Sequence, residues 1–423
     1  MSPARRYAQR LLDALEIGPD RAIASFDEHP AFTWARSGLM ALTGLAEGAP
    51  LVCPVPIASC ADDALAALAS VAPHEALRGL RGSALLAERA AISGFARRGA
   101  VSPGGGTYLL NTIEGAVGVS LTRDDDWSLV PAWLEIDAEP AWELVRRIVG
   151  TRTIHDLVER ARLVGLAVAP SVPPPSRPVS WCTIDRVTSA SQHGTKTPLV
   201  IDLSSLWAGP LCARLLRRCG ARVIKVESKQ RPDGARRGPR HFFEQMNAGK
   251  ESLVFDFAKR EELDRLRDLI AGADIVIEAS RPRALRQLGI DADALLARNP
   301  RLTWISITGY GRVEPQSDWI AYGDDAGVAA GLSYLMQQAH GQKVIVGDAI
   351  ADPLTGIHAA LAAWSSWRKG GGALIALSLV DVVRHCIQFD LPVTQEALQE
   401  RAREWNAIAA AQAPRDRSMV TDR

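Results

Sequence analysis

The sequence predicts an α/β protein with a doubly wound, mostly parallel, Rossmann-like sheet and a second, smaller α+β domain. The main observation is that short apolar runs alternate, from Pro198 onward, with segments of helical periodicity. This alternation is typical of parallel strands joined by crossover helices. A chain of 423 residues is also too long for one ordinary core, so two or three domains are expected. The composition, 47% apolar and 23% charged, has the balance of a globular protein.

In the second half, the predicted strands are short segments rich in Val, Ile and Leu, and helical segments separate most of them. The predicted strands are residues 199–203, 222–227, 252–256, 273–278, 302–307 and 374–380. The predicted helices are the later part of 204–219, then 261–271, 283–288, 291–298 and 394–411. An open parallel sheet binds its ligand at the carboxyl ends of its strands, so functional residues are expected there.

The first half has a different pattern. Helical periodicity at 7–15 and 34–45 gives way to an extended stretch at 51–58, because Pro54 and Pro56 exclude a helix. The further predicted elements are a helix at 62–71, a loop at 96–107, strands at 108–111 and 116–121, and helices at 131–149 and 154–166. The predicted domains are a helical segment at 1–103, a small α+β domain at 104–172, a Pro-rich linker at 173–197, the Rossmann-like domain at 198–390, and a C-terminal helix and polar tail at 391–423.

An internal repeat relates the two halves. Residues 38–69 match residues 331–362 without a gap when the sequence is shifted by 293 positions. The match includes Gly-Leu, Ile-Ala and Ala-Ala-Leu-Ala pieces, and it places Asp352 opposite Ser59. The first segment is therefore interpreted as a second copy of the later one that lacks its carboxylate. The alternative is a chance match between two Ala-rich helices.

Composition and motifs disfavour several classes of function. A formal charge of +1 gives no overall field for nucleic acid. Six Cys without a C-x-x-C pair indicate reduced thiols and a cytoplasmic location, and the eight His show no metal-ligand spacing. The N-terminus does not resemble a signal peptide, and no apolar run is long enough to span a membrane. The sequence lacks G-x-G-x-x-G, G-x-x-x-x-G-K-[ST] and G-x-S-x-G, which disfavours a nicotinamide or flavin cofactor, an NTPase and a hydrolase.

Asp352 stands between small apolar residues and an Ala-rich helical run that continues to Trp364. Pro353 fits the first position of a helix, which would place Asp352 at the N-cap. The local sequence permits two interpretations: a simple cap, or a carboxylate nucleophile kept ionised at a helix start. His358, on the same helix, is interpreted as a packed or surface residue rather than a base. The Arg-rich segment 234–240 suits the rim of a site for an anionic ligand, although a loop of this kind is usually only solvated.

Several segments of the second half, taken in order, resemble CoA-transferase family III, which contains formyl-CoA transferase, carnitine CoA-transferase and the 2-methylacyl-CoA racemases. The resemblance covers about residues 198–386. Its pieces are Ile201-Asp-Leu-Ser, Ala208-Gly-Pro, Gly220-Ala-Arg-Val-Ile-Lys-Val-Glu, Asn247-Ala-Gly-Lys-Glu-Ser, Ala273-Asp-Ile-Val-Ile-Glu-Ala-Ser-Arg-Pro, Leu288-Gly, Asn299-Pro-Arg-Leu, Ser306-Ile-Thr-Gly-Tyr-Gly and Gly347-Asp-Ala-Ile-Ala-Asp. More faintly, residues 38–70 resemble the family's catalytic segment and residues 104–172 its small domain, so the domain order looks rearranged.

The resemblance implies that CoA is transferred from an acyl-CoA to a carboxylic acid, with CoA as a substrate and no separate cofactor. Asp352 falls on the family's catalytic Asp, which attacks the thioester to form an aspartyl anhydride. The CoA thiolate then attacks the anhydride, and CoA passes through an enzyme-bound thioester to the acceptor. The residues that the resemblance places at or beside CoA or substrate contacts are Trp207, Ala208, Ser228, Lys229, Phe255, Ala258, Ala279, Ser280, Arg281, Arg286, Gln287 and Tyr322, with Gly104, Gly105 and Gly106 as a Gly-rich flap. The family forms interlocked dimers, so a homodimer is expected.

Residues 321–326 depart from the family's pattern. The racemases carry a His in this region, and this chain has none there. That disfavours racemisation, which needs a second proton-transfer group at the α-carbon. Some transferases carry a Glu at the position of Gly323, and here Asp324 or Asp325 is the candidate to replace it. Two alternatives stay open: an acyl-CoA racemase or isomerase, and a non-catalytic CoA-binding protein. No charge pattern identifies the acyl donor or the acceptor.

Overall fold

The main sheet is doubly wound and lies in the second half of the chain. The computed structural model describes residues 3–24, 28–73, 75–186 and 197–411. The described strands are β1 (Thr107–Asn111), β2 (Ala116–Ser120), β3 (Ala167–Pro170), β4 (Thr183–Arg186), β5 (Leu199–Asp202), β6 (Arg222–Ser228), β7 (Glu251–Phe255), β8 (Ile275–Glu278), β9 (Thr303–Thr308) and β10 (Ala373–Ser378). The main sheet has the order β4–β10–β9–β8–β5–β6–β7. Its neighbours pair in parallel, except that β4 runs antiparallel to β10.

The order of the strands creates a crevice at the centre of the sheet. The parallel strands begin at β5, continue outward through β6 and β7, and resume on the other side of β5 as β8. In open α/β sheets, the ligand binds at the carboxyl ends of the strands on either side of such a reversal. All residues of β8, β9 and β10 are buried, as expected for parallel strands that helices cover on both faces.

Helices cover both faces of the main sheet. The described helices are α1 (Pro3–Ala14), α2 (Pro30–Arg36), α3 (Ile57–Val71), α4 (Gly82–Leu85), α5 (Glu88–Ser93), α6 (Asp124–Leu134), α7 (Trp142–Val149), α8 (Ile154–Val164), α9 (Ala208–Arg218), α10 (Arg240–Asn247), α11 (Arg260–Ala271), α12 (Pro282–Gln287), α13 (Ala292–Arg298), α14 (Gly323–Ala330), α15 (Leu332–His340), α16 (Ala351–Arg368), α17 (Leu379–Phe389) and α18 (Gln395–Ala411), with 3₁₀ turns at Leu39–Ala41, Gly234–Arg237 and Gln316–Asp318. Helices α11, α12 and α13 pack on one face, and α9, α16 and α17 pack on the other. Among the described residues, no helix has the length and apolar character needed to cross a membrane.

A smaller antiparallel sheet, β1–β2–β3, lies in the first half. Helices α6, α7 and α8 cover it and share a separate apolar core with it. Trp133 is fully buried in this core, and its indole N–H donates to the carbonyl oxygen of Leu157. This sheet with its helices is the α+β part that the sequence predicts beside the main sheet.

The two segments related by the sequence repeat fold alike and pack together. Gly38 and Gly331 both take positive φ angles, 89° and 106°, and each precedes a short helical segment. Each segment then leads into a long buried helix, α3 in the first copy and α16 in the second, and these two helices pack against each other. The repeat is therefore a repeat of structure as well as of sequence.

Several predicted elements differ from those observed. The predicted linker contains β4, whose four residues are too few for a pattern, and which becomes a strand only by pairing with β10. Residues 131–149 form parts of α6 and α7 rather than one helix, because Glu135 turns into the left-handed region and ends α6. Helix α3 begins earlier than predicted, directly after Pro56. The sequence analysis did not predict β3 or α10. The predicted tail after residue 411 and part of the linker lie outside the described residues.

Candidate active site

A cleft of about 810 Å³ opens at the carboxyl ends of β5, β8 and β9. Its volume lies within the range of small-molecule sites. Ser205, Ala279 and Gly309 follow these strands and form one wall. Arg89 and the Gly-rich segment 104–106, both from the first half of the chain, also line the cleft. Both halves of one chain therefore contribute to the cleft.

Asp352 lines this cleft from the first turn of α16. The prediction that Asp352 is the N-cap is wrong, because the N-cap is Ile350 and Asp352 is the second helical residue. The prediction assumed that the residue before Pro353 has extended backbone, as an N-cap residue usually does. Instead the chain enters the helix from a turn, and the N-cap Ile350 already has helical φ and ψ angles. Asp352 consequently does not cap its own helix, and its carboxylate accepts from the backbone N–H of Ala208 on α9.

Two helix N-termini therefore meet at Asp352. Ala208 is the first residue of α9, and Asp352 lies in the first turn of α16. Gly356 permits this close approach, because a Cβ there would lie 2.6 Å from the carbonyl oxygen of Ala208. Helix N-termini carry partial positive charge and free N–H groups. This arrangement favours a negative charge on Asp352 or on a group bound beside it.

Burial nevertheless dominates the ionisation of Asp352. Burial, together with the charges of Asp324 and Asp348, raises the pKa of Asp352 to about 7, although the guanidinium of Arg89 and the Ala208 N–H act in the opposite direction. Burial and the charge of Asp348 likewise raise the pKa of Asp324 to about 6. Burial therefore acts against the expectation that the helix start keeps Asp352 ionised, because low-dielectric surroundings disfavour the charged form of a carboxyl group.

Arg89 is the cation beside the three carboxylates of Asp324, Asp348 and Asp352. Its Nε and Nη2 donate to the two carboxylate oxygens of Asp348 at 2.8 Å and 2.6 Å, a bidentate pair in which Asp348 is fully buried. The guanidinium also lies 5.3 Å from the centre of the Trp207 ring. Asp324 accepts from the backbone N–H of Ala349 at 2.6 Å, so the turn before α16 is held from two sides.

A buried ion network shapes the turn after β5. Asp202 accepts from Lys250 at 2.8 Å, and Lys225 contacts Asp233 at 2.9 Å while donating to the carbonyl oxygen of Ser204. Asp233 in turn accepts from the backbone N–H of Leu206. Buried charges of this kind are stable only when paired and hydrogen-bonded. The network therefore fixes the turn that precedes Ala208 and the start of α9.

The cleft also contains two strained backbone positions. Leu206 and Ala349 have φ angles of 68° and 43°, in the left-handed region that non-glycine residues rarely adopt. Each such residue costs about 1 kcal/mol or more, and such residues cluster at binding and catalytic sites. Leu206 precedes Trp207, whose indole Nε1 is buried without a hydrogen-bond partner among the described residues. Both strained residues and the Trp207 ring therefore line the cleft together with Asp352.

The structure places the residues proposed from the sequence in two groups. The first group lines the cleft with Asp352 and comprises Gly104, Gly105, Gly106, Trp207, Ala279, Ser280, Arg281 and Tyr322. The second group does not line the cleft and comprises Ala208, Ser228, Lys229, Phe255, Ala258, Arg286 and Gln287. Ala208 still contacts Asp352 through its N–H.

Most of the second group lies along the same edge of the sheet. Ser228 and Phe255 end β6 and β7 and are paired in register, so their carboxyl ends extend the edge that carries the cleft. Lys229 donates its backbone N–H to Phe255 and has an exposed side chain. Arg286 is exposed and lies near Asp291 and Asp293, so it is already engaged with carboxylates of its own neighbourhood.

The sequence model of CoA-transferase family III matches residues 198–417, more than half of the chain. The matched range contains the whole parallel sheet, the turn before α9 and Asp352. The chain belongs to CoA-transferase family III.

Curated relatives agree with this membership. An acyl-CoA transferase of Fusarium pseudograminearum is 32% identical over 46% of this chain and 47% of its own length. The succinate–glutarate CoA-transferase of Agrobacterium fabrum is 32% identical over 43% of this chain and 50% of its own. The chain thus spans about half the length of the curated relatives it matches. A solved CAIB/BAIF family protein from Brucella suis is 28% identical and covers 53% of this chain and 60% of its own, with a TM-score of 0.43.

Gly323 lies directly against the Asp352 carboxylate in this family III chain. A Cβ at Gly323 would overlap Oδ2 of Asp352 and the carbonyl of Ala349. A larger side chain, such as the Glu of some transferases, therefore does not fit here without displacing the turn. Of the two candidates to replace that Glu, Asp324 lines the cleft, whereas Asp325 bonds to Ser120 and to the N–H of Tyr322.

We expect Gly323→Ala to lower the free energy of unfolding by about 1–3 kcal/mol, because the new methyl group forces Asp352 and the Ala349 backbone apart. Gly327→Ala is the matched control on the same helix, since its Cβ would meet the nearest side chain, Ile350, only at 3.5 Å. Chemical denaturation of both variants measures the difference. Equal stability of the two variants would contradict the close approach at Gly323.

Several cleft residues were not found by sequence reasoning. Arg89, Phe95, Arg123 and Trp319 line the cleft without belonging to any motif. Arg89 is separated by 259 positions from its partner Asp348, and nothing in its neighbourhood signals a site. The prediction of a cationic rim at 234–240 was partly useful, because Arg237 lines the cleft, but Arg236 is paired with Glu227. His358 is fully buried and bonds Tyr7 and Leu354, as a packed residue would.

Proposed function

We propose that this protein transfers CoA from an acyl-CoA thioester to a carboxylic acid, with Asp352 as the nucleophile. The observation that carries the proposal is the position of Asp352. Its carboxylate faces a cleft at the carboxyl ends of the central strands, at the meeting point of two helix N-termini. Family membership supports the reaction class, and the name of the Agrobacterium relative describes transfer of this kind.

In the first half-reaction, an oxygen of Asp352 attacks the thioester carbon, the C–S bond breaks and CoA leaves as a thiolate. The product is a mixed anhydride between Asp352 and the acyl group. The thiolate then attacks the aspartyl carbonyl of that anhydride, which releases the donor's carboxylate and leaves CoA as a thioester on Asp352. One difficult exchange is divided into steps between groups of similar reactivity.

In the second half-reaction, the acceptor carboxylate attacks the aspartyl thioester and regenerates an anhydride and a thiolate. The thiolate attacks the acceptor's carbonyl, which yields the new acyl-CoA and restores the Asp352 carboxylate. Each addition places negative charge on a former carbonyl oxygen. The N–H of Ala208, the two helix N-termini and the backbone amides of the flap at 104–106 are the groups proposed to stabilise that charge.

The sheet edge suggests how CoA is held. We propose that its adenosine end lies over Ser228 and Phe255, at the rim, and that its thioester end reaches Asp352 through the cleft. Trp207 is the proposed contact between them, because its buried indole N–H lacks a partner among the described residues and its ring lines the cleft. CoA enters this scheme as a substrate, and no additional cofactor takes part in the steps.

The direct test is incubation with a panel of acyl-CoAs, followed by hydroxylamine and peptide mass analysis. Hydroxylamine should trap the activated Asp352 as a hydroxamate, and a carboxylic acid acceptor should appear as a new acyl-CoA. Incorporation of solvent deuterium at the α-carbon without an acceptor would instead support the racemase alternative. Binding of CoA with neither reaction would support the non-catalytic alternative.

We expect the rate of trapping to fall as the pH is lowered through about 7. Only the ionised carboxylate attacks the thioester, and the pKa of Asp352 is raised to about 7 by burial. A pH–rate profile of single-turnover trapping measures this midpoint. A flat profile down to pH 5 would show that substrate binding keeps Asp352 ionised, and it would contradict the expectation.

A homodimer stays a prediction from the family resemblance. Since Asp352 and the flap at 104–106 face one cleft within a single chain, we propose that the dimer does not share its sites between chains. Mixing Asp352→Asn chains with flap-disrupted Gly105→Trp chains should then restore no activity. Recovered activity in the mixture would indicate that sites are shared.

A further inference from the structure

Arg89 is the cleft arginine with a described effect on the pKa of Asp352, which its charge lowers. Burial lowers the pKa of Arg89 itself, but the charges of Asp348, Asp324 and Asp352 outweigh burial and raise it. Arg89 lies on α5, outside residues 198–417, so the match to the family model assigns it no role. The proposed nucleophile and this cation therefore come from different halves of the chain and meet in one cleft.

Two of the three guanidinium nitrogens of Arg89 are already engaged. Nε and Nη2 both donate to Asp348, whose side chain is fully buried. The guanidinium carbon lies 5.3 Å from the centre of the Trp207 ring and 6.0 Å from that of the Phe95 ring. Because a guanidinium is planar and rigid, these contacts fix the direction of its third nitrogen.

The third nitrogen, Nη1, is available and faces the cleft. Among the described residues Nη1 has no hydrogen-bond partner, and it is not one of the nitrogens that are buried without a partner. The Arg89 side chain is 29% exposed. Nε and Nη2 form the edge turned toward Asp348, so Nη1 lies on the side turned away from it. Arg89 lines the cleft, as Trp207 and Phe95 do, whereas Asp348 does not.

The proposed reaction needs a cation at this place. Its second half begins when a carboxylate anion attacks the thioester on Asp352, and the charges of Asp324 and Asp348 act on the same position. Like charges repel, so an anion is held there only if a cation offsets these carboxylates. Gly104 of the flap adjoins the arginine, since a Cβ on Gly104 would lie 3.6 Å from Nη2 of Arg89.

We propose that Nη1 of Arg89 binds the free carboxylate of the acid substrate and holds it beside Asp352. The N–H donates to one oxygen of the acid, while the other oxygen forms the new C–O bond to the aspartyl carbonyl carbon. The C–S bond then breaks, its electron pair leaves on the sulfur of CoA, and no proton is transferred. This role in transfer rests on the proposed function, whereas the binding of a carboxylate at Arg89 does not.

The binding test uses the full Asp352→Asn chain, because its neutral amide imitates the uncharged thioester state of Asp352. Calorimetric titration with sodium propionate should show saturable binding with a Kd of about 1–10 mM, and neutral propionamide should not bind. Addition of Arg89→Lys should weaken propionate binding at least tenfold, because lysine keeps a cation for Asp348 but lacks the fixed third nitrogen. No saturation up to about 50 mM, or equal affinity for propionamide, would overturn the proposal.

Arg214→Lys, also in the Asp352→Asn chain, is the matched control. Arg214 pairs with Glu88, the neighbour of Arg89, but does not line the cleft, so propionate binding should be unchanged. If Arg89→Lys does not fold, the double change Arg89→Met with Asp348→Asn replaces it, because it removes both charges of the pair. Propionate binding that persists in this double variant would also overturn the proposal.

The kinetics of Arg89→Lys with Asp352 intact give a second readout. At pH 9, above the pKa of about 7 for Asp352, the rate of hydroxylamine trapping without an acceptor should stay within about threefold of the parent, while KM for the acceptor acid should rise at least tenfold. Trapping and acceptor KM that change by the same factor would show a structural role only and would contradict the proposal. Arg89-dependent propionate binding in a chain that transfers no CoA would refute the proposed function and leave this site in place.

Discussion

Asp352→Asn is expected to lower the rate of CoA transfer by at least about 10⁴-fold, because removal of a covalent nucleophile has effects of this order. Asparagine has the same shape, so the hydrogen bond from the Ala208 N–H and the binding of CoA should persist. The expected pattern is therefore unchanged CoA affinity by calorimetry, no hydroxamate at position 352, and no new acyl-CoA by mass analysis.

Asp156→Asn is the matched control. Asp156 also lies in the first turn of its helix, α8, but outside the cleft, so this variant should transfer CoA at the normal rate. If Asp352→Asn transfers CoA at a rate within tenfold of the parent, Asp352 is not the nucleophile and its role is structural.

The stability of Asp352→Asn provides a second, independent readout. The pKa of Asp352 is about 7 in the folded chain, well above the value of about 3.9 in an unfolded chain. Between these values the folded state holds a proton that the unfolded state has lost, so the contribution of Asp352 to stability falls as the pH rises. We therefore expect Asp352→Asn to gain stability relative to the parent between pH 4 and pH 7, as measured by denaturation at several pH values.

Arg89→Met is expected to have the next largest effect, on both stability and activity. It leaves Asp348 as a buried charge without its bidentate partner, and breaking such a pair costs about 3–5 kcal/mol. Arg89 also favours the ionised form of Asp352. We therefore expect the midpoint of the pH–rate profile to move upward, and the rate at pH 7 to fall.

Two comparisons separate these effects. Arg214→Met removes the partner of Glu88, at the start of the same helix α5, and should reduce stability without moving the pH midpoint. Arg89→Met combined with Asp348→Asn removes both charges and should recover part of the lost stability. An unmoved pH midpoint in Arg89→Met would show that Arg89 is only a structural partner of Asp348.

The central strands of the parallel sheet could be predicted because β8, β9 and β10 are short segments that are buried on both faces and therefore lack a polar–apolar alternation. β4 could not, since four residues with one apolar side chain become a strand only next to β10. The first turn of α16 was misassigned because the turn before it, with Ala349 in the left-handed region, is set by Asp324 and Arg89 rather than by local sequence. Asp352 itself was singled out because the segments around it resemble those of the family, whereas its local sequence also left a simple helix cap open.

Arg89 illustrates the limit of sequence reasoning for the site. Its importance comes from a contact with Asp348 across the fold, and no local pattern distinguishes it from the other arginines of the chain.

The pairing of α3 with α16 has a consequence for synthesis on the ribosome. Thirteen of the fifteen residues of α3 are buried, and its partner α16 begins 280 positions after α3 ends. At translation rates of 5–20 residues per second, α3 waits roughly 15–60 s for that partner to emerge. During this interval its apolar surface is open to chaperones and to other nascent chains, so slow codons in the second half should lower the yield of folded protein.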